Sequence, residues 1–258
     1  LASGSKINAI TDDPIGAVNI LNTNRQLGQI DIFTQNVEMS MKELSTLDDL
    51  MDLATGYLST AWDKAVQANN QTYGKSSLEA LKVEIDEITK TMVDLANTEY
   101  NDNYIFGGAN TKILPYEQAE NGDIIYNGTP YDNKDYIRQT EVADGVFEVI
   151  NTTGDKVFGY YKSAVEPGNG VYTDANGKRV IESTDAQTGQ KVYKYENGVE
   201  YTGDVADLTD GAEEEAVGVM GALRKLSNSL GTVVEGLEAG DDAMVQEGYA
   251  EMNSTLDM

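Results

Sequence analysis

Apolar residues in the first third of the chain recur in steps of three and four, the spacing of one helix face. Asp13 and Pro14 suit the N-cap and the first helical position, so the sequence predicts a helix from Pro14 to Ala68, about 80 Å long. Positions 30, 37, 44, 51, 58 and 65 follow a seven-residue repeat typical of a coiled coil. The predicted seam of this helix includes Ile30, Phe33, Val37, Leu44, Met51 and Leu58.

A second helix is predicted after the polar turn at residues 69–75, with Ser76 and Glu79 as a capping box. Its apolar positions alternate in steps of three and four, and its other face is rich in Glu and Lys. A short turn between two such helices favours antiparallel packing. The core positions predicted for this helix include Leu81, Ile85, Ile88 and Met92.

Helical spacing returns near Asp210, where Asp210 and Glu213 match another capping box. Leu223 and Leu230 belong to the apolar face predicted for this helix. Gly240 is then expected to end it, and Asp241 to cap a last helix that continues to the end of the chain. The chain starts at Leu1 and stops within a helical pattern at Met258, which predicts that it is a piece of a longer protein.

The middle of the chain has a different composition, because residues 100–201 hold 12 of the 15 Tyr and all five Asn-Gly pairs. Asn-Gly is the strongest short-range signal for a tight hairpin turn. Short β-rich runs between these pairs predict a small, mostly antiparallel β domain. The predicted class is therefore α+β. A discontinuous, elongated helical rod with a short β element (residues 1–114 and 206–258) carries an inserted β-rich outer domain (residues 115–205).

The formal charge of −26 makes nucleic acid and anionic membranes poor partners. The absence of Cys and His removes disulfides, cysteine nucleophiles, His-assisted triads and the common zinc and haem ligand sets. No apolar run approaches the roughly 18 residues of a transmembrane helix. We therefore predict no catalytic, cofactor-binding or metal site.

Two local patterns in the sequence have simpler interpretations than a binding site. Asp174 and the Asn-Gly pair that follows resemble a calcium loop, but Tyr172 and Ser183 fall at ligand positions of that loop, so a hairpin turn is favoured. Trp62 lies beside the seam, where a core or domain contact is favoured over a ligand platform. What remains is the long seam, which indicates either an ordinary helical bundle or a rod that assembles with copies of itself.

Several motifs, in order, resemble the flagellin family. Ser3 and Gly4, followed by Asp12 and Asp13 before the long helix, are similar to the start of that family. The run Ala65–Asn70 resembles the family's segment at the end of that helix. Tyr-Ile-Phe-Gly-Gly, with Tyr104, Phe106, Gly107 and Gly108, resembles the signature of the branch that forms the hook–filament junction.

The resemblance implies a non-enzymatic structural protein of the bacterial flagellum, acting as an adaptor between the hook and the flagellin filament. It implies an extracellular location after export by the flagellar type III system, without a cleaved signal. The implied partners are other copies of the chain, hook-associated protein 1 on the hook side, flagellin, and an export chaperone for a terminus absent here. It implies no cofactor, no nucleic acid and no membrane.

Two alternatives stay open: a filament-forming flagellin, and a secreted carbohydrate-binding or adhesive module. We expect this chain alone to be a monomer, because the family's terminal coiled coil is absent and a charge of −26 per copy repels neighbours. On the long helix, Asp49, Asp52 and Asp63 lie off the seam and form the candidate assembly surface.

Overall fold

The computed structural model describes residues 14–70, 72–119, 121–131, 133–134, 137–165, 167–184, 190–196 and 199–257. It confirms the α+β class. The helices are α1 (Pro14–Ala68), α2 (Lys75–Ala96), α3 (Gly154–Val157), α4 (Gly218–Ala239) and α5 (Asp242–Leu256). The strands are β1 (Glu99–Tyr100), β2 (Asn103–Tyr104), β3 (Tyr116–Gln118), β4 (Ile124–Tyr126), β5 (Gln139–Ala143), β6 (Val146–Val149), β7 (Tyr160–Lys162), β8 (Val171–Thr173), β9 (Arg179–Thr184), β10 (Lys191–Tyr195), β11 (Thr209–Asp210) and β12 (Glu215–Val217).

The helix termini agree with the sequence except at the starts of α2 and α4. Helix α1 has the predicted bounds, and α5 is capped by Asp241, whose carboxylate accepts hydrogen bonds from two backbone amides. The predicted capping box at Ser76 is wrong, because α2 begins at Lys75 with Gly74 as its N-cap and without a side-chain cap. The amides of Ser77 and Leu78 donate to the Gly74 carbonyl instead.

Two four-stranded sheets contain most of the strands, and every strand pair among the described residues is antiparallel. The inner sheet has the order β12-β7-β4-β3 and contacts α4. The outer sheet has the order β10-β9-β8-β11. The inner sheet crosses the predicted domain boundary at residues 205 and 206, because β12 lies beyond it. The domain boundaries themselves stay a prediction.

The helix predicted to start at Asp210 is wrong. Asp210 belongs to β11 and pairs with Tyr172 of β8, while Glu215–Val217 forms β12 and pairs with β7. Helix α4 starts only at Gly218. A capping box stabilises a helix start by only about 1 kcal/mol. Pairing of residues 209–210 and 215–217 with two strands that are distant in sequence is more favourable, so these residues form strands.

The chain divides into two compact units. The described residues of the first unit are 14–49, which form the first part of α1, and 137–151, which include the β5–β6 hairpin. The hairpin is fastened to the helix by two polar contacts. Asn36 Nδ2 donates to the Glu141 carbonyl (2.8 Å), and Arg138 forms an ion pair with Glu43.

The second unit contains the rest of α1, the remaining helices and both sheets. Its helical core includes Ala65, Ala68, Leu78, Leu81, Ile85, Leu226, Leu230, Val233, Val234, Tyr249 and Met252. Trp62 is partly buried against this cluster, which confirms the structural interpretation of that residue. Asn228 of α4 donates to the Tyr161 hydroxyl of β7 (2.8 Å) and so ties the inner sheet to the helices.

Candidate assembly surface

The second part of α1 buries small residues. Ala54, Ala61 and Ala68 follow one another at seven-residue spacing, three positions after the predicted repeat, and are nearly or fully buried. Ala65, on the predicted repeat itself, is also fully buried. One face of this part of the helix therefore packs against the helical core of the second unit.

The first part of α1 differs. Ile30 is 56% exposed and Leu44 is 43% exposed, so their assignment to the core of this chain is wrong. A seven-residue repeat determines which residues share a helix face, but it does not determine which part of the chain covers that face. Here the β5–β6 hairpin leaves the side chains of Ile30 and Leu44 accessible. The half-buried members of the predicted seam are Phe33, Val37, Met51, Leu58 and Ile88. The buried members are Leu81, Ile85, Met92, Leu223 and Leu230.

Large apolar side chains are therefore exposed throughout the first unit. On α1 they are Ile15, Val18, Ile20, Leu21, Leu27, Ile30, Ile32, Met39, Met41 and Leu44. The β5–β6 hairpin and its flank add Ile137, Val146, Phe147 and Val149. We call these residues together the unit 1 apolar surface. Single exposed apolar residues are ordinary on a soluble protein, but many on one small unit indicate an interaction surface.

The three acidic residues of the candidate assembly surface are all exposed on α1. None of Asp49, Asp52 and Asp63 forms an ion pair with a described residue. Their negative charges are thus free for contacts outside the chain. That role stays a prediction.

The Tyr-Ile-Phe-Gly-Gly segment lies at a meeting point of three chain segments. Phe106 is fully buried, and its ring meets that of Phe158 edge to face at 4.9 Å. Its carbonyl accepts hydrogen bonds from Gly154 N (3.0 Å) and from the Tyr126 hydroxyl (2.8 Å). Burial raises the pKa of Tyr126 well above its ordinary value, so this hydroxyl stays a donor.

The two glycines of the segment are required by close packing. A Cβ at Gly107 would lie 2.7 Å from the Asn110 carbonyl oxygen. Gly108 has φ +65°, and its Cβ would lie 2.9 Å from the Thr129 carbonyl oxygen. Phe106, Gly107 and Gly108 thus have a packing role here, and Tyr104 is half-buried in β2. The other motif residues, Ser3, Gly4, Asp12 and Asp13, lie outside the described residues.

Asp174 forms a hairpin turn, as the sequence favoured. Its Oδ1 accepts hydrogen bonds from the amides of Asn176 and Lys178 (both 2.8 Å), and its Oδ2 accepts one from the Tyr195 hydroxyl (3.0 Å). These bonds, first among them the one from Lys178 N, hold the pKa of Asp174 below its usual range. The carboxylate is occupied in closing the turn between β8 and β9.

Sequence reasoning missed two features. The β5–β6 hairpin was not predicted as a hairpin, although Asp144-Gly145, a strong turn signal, precedes the run at Val146. The buried Arg179 carried no local signal, because its contacts lie on segments distant in sequence. In the part of the chain that the structure describes, no helix combines the length and apolar character of a membrane span.

Comparisons with known proteins agree with this architecture. Residues 1–111 match the model of the bacterial flagellin N-terminal helical region. Flagellar hook-associated protein 3 of Salmonella typhimurium is 26% identical over 168 residues, which cover 65% of this chain and 50% of that protein. The chain thus spans about half the length of the curated relative it matches.

Solved structures share the fold. A putative flagellar hook-associated protein from Vibrio parahaemolyticus has a TM-score of 0.57 at 12% identity, covering 96% of this chain and 87% of that chain. The flagellar junction protein FlgL from Legionella pneumophila has a TM-score of 0.53 at 17% identity, covering 95% and 92%. The predicted resemblance to flagellin-like hook-associated proteins is confirmed.

Proposed function

We propose, on the premise that this chain resembles flagellar hook-associated protein 3, that it is a structural adaptor at the junction between the flagellar hook and the flagellin filament. The unit 1 apolar surface is the observation that carries the proposal. An adaptor acts by subunit packing, and this unit presents apolar side chains that its own chain leaves exposed. An adaptor of this kind catalyses no chemical reaction.

The proposed partners follow from the resemblance. Within the flagellum, copies of the chain would pack side by side, with hook-associated protein 1 on the hook side and flagellin on the filament side. Export through the type III channel would place the protein outside the cell, with an export chaperone for one terminus. The isolated chain is proposed to be a monomer, because like charges on neighbouring copies repel one another.

The decisive experiment locates the protein on the flagellum. A strain lacking the gene is complemented with the complete gene carrying a small epitope tag, and the tag is detected by immunogold electron microscopy. We expect label at the base of the filament only. Label along the whole filament would identify a filament-forming flagellin and contradict the proposal.

The assembly role of the unit 1 apolar surface has its own test. Leu44→Ser in the complete gene should weaken attachment of the filament, measured as filaments shed on mild shearing. Leu237→Ser is the matched control, because Leu237 is 42% exposed on α4 in the second unit. Equal shedding in the two variants would show that the unit 1 apolar surface does not contribute to filament attachment.

A further inference from the structure

Two antiparallel chain segments connect the outer sheet to the inner sheet. Lys162 at the end of β7 lies opposite Glu215 at the start of β12. Beyond this pair, Val165 N donates to the Ala212 carbonyl (2.7 Å), and Ala212 N donates to the Val165 carbonyl (2.9 Å). We call residues 163–165 and 211–214 the neck, and the described residues between them the outer module.

Arg179, the first residue of β9, reaches from the outer module into the neck. The residue is 6% exposed. Its Nη2 lies 2.8 Å from the Ser163 carbonyl oxygen and 2.7 Å from that of Glu213, with the Lys162 carbonyl at 3.3 Å. One guanidinium group therefore binds both strands of the neck at once.

The charge of Arg179 is balanced at the same place. Arg179 Nε lies 3.6 Å from Glu215 Oε1, and Lys162 Nζ lies 3.7 Å from Glu215 Oε2. Lys162 also forms an ion pair with Glu196, a residue of the outer module. Because a buried charge is costly without partners, the Glu215 carboxylate favours the guanidinium in this position.

The backbone of the neck is a weak support by itself. Two-stranded ribbons are marginally stable in water. Thr173 Oγ1 donates to the Gly211 carbonyl (2.9 Å), and Gly211 N donates to the Val171 carbonyl (2.8 Å), but both contacts reach only the second strand of the neck. Among the hydrogen bonds from outer-module side chains to the neck, those of Arg179 alone reach both strands within the described residues.

We propose that Arg179 is a clamp that fixes the orientation of the outer module relative to the inner sheet. With the clamp in place the two sheets move as one body. Without the Arg179 side chain the neck becomes a hinge. The backbone hydrogen bonds that remain hold its two strands together but still permit them to bend as a pair. The orientation of the outer module thus depends chiefly on Arg179, beside the partly exposed ion pair between Lys162 and Glu196.

The first test compares Arg179→Met with the matched control Lys178→Met, an exposed cation at the neighbouring position. Residual dipolar couplings of the backbone amides report whether the two sheets share one alignment. We expect a common alignment tensor in the unmodified chain and in Lys178→Met. In Arg179→Met the tensor fitted to the outer module should fall at least twofold in magnitude. A common tensor in Arg179→Met would overturn the proposal.

If Arg179→Met disturbs folding of the outer sheet, a second variant tests whether Arg179 acts through the neck. Val165→Cys and Ala212→Cys are added to Arg179→Met, and the chain has no other Cys. The two residues form a hydrogen-bonded antiparallel pair, whose Cα separation of about 5.5 Å suits a disulfide.

We expect the oxidised form to regain the fold of the outer sheet and the common tensor, and the reduced form to lose the common tensor. An oxidised form that still lacks the common tensor would show that Arg179 does not act through the neck. An oxidised form whose outer sheet stays unfolded would make Arg179 a core residue of that sheet. Either result would overturn the clamp.

Discussion

The first and second parts of α1 follow one heptad pattern but lie in different surroundings. The second part buries Ala61 and Ala65 completely, whereas the first part leaves Ile30 and Leu44 exposed. The fully buried side chains of the second part are small, whereas the first part exposes many large apolar side chains. The comparison teaches that periodicity determines which residues share a face, while burial depends on whether another part of the chain covers that face.

The largest effect is expected from removing a residue that covers the second part. Leu230 of α4 is fully buried in the cluster that contains Ala65, so Leu230→Ala should lower the free energy of unfolding by about 2–5 kcal/mol. Urea unfolding measures this change. Leu237→Ala on the same helix is the control, because Leu237 is 42% exposed, and we expect a change of about 1 kcal/mol or less there. Equal losses in the two variants would contradict the assigned faces of α4.

A smaller loss is expected from enlarging a small residue in the second part. Ala65→Leu adds three carbon atoms where no space is accessible, and should cost about 1–3 kcal/mol through overpacking. Ser59→Leu on the exposed side of the same helix should leave the melting temperature nearly unchanged. If Ala65→Leu stabilised the protein, the complete filling of the space around Ala65 would be disproved.

Leu44→Ala tests the first part. The heptad pattern alone predicts a core loss of about 2–5 kcal/mol. Because 43% of Leu44 is exposed, the structure predicts a loss of about 1 kcal/mol or less. Thermal melts of the chain decide between the two values. A loss above 2 kcal/mol would place Leu44 in a core and remove it from the unit 1 apolar surface.

The smallest change in stability is expected at the acidic residues. Asp49→Ala, Asp52→Ala and Asp63→Ala should each change the free energy of unfolding by no more than about 0.5 kcal/mol, because the residues are exposed and form no ion pair with a described residue. In the complete protein the same variants should reduce motility. Unchanged motility in all three would remove these residues from the assembly surface.

Local signals were sufficient for much of the helical fold. Gly240 with Asp241 predicted the break between α4 and α5, and α1 has the predicted bounds, whereas the proposed cap at Asp13 lies outside the described residues. These signals succeed because capping and turn formation involve neighbouring residues only. The strand predicted at residues 191–195 also has the observed bounds.

Long-range contacts explain the failures. Residues 209–217 carry a helix start signal, but strands from residues 160–173 recruit them into both sheets. The exposure of Ile30 and Leu44 and the contacts of Arg179 likewise depend on which segments meet in three dimensions. For the candidate assembly surface, the apolar and acidic residues could therefore be predicted from the sequence, but their degree of burial could not.

The pairing of β7 with β12 has a consequence for the order of folding. Lys162 and Glu215 are neighbours in the sheet but far apart along the chain. Closing a flexible loop of about 50 residues costs roughly 3.5 kcal/mol of chain entropy, whereas a helix such as α1 forms locally within about a microsecond. A folded outer module already holds Val165 beside Ala212, and so brings the two strands together in advance. We therefore expect the outer module to fold before the inner sheet is completed, and to act as an internal template for its last strand.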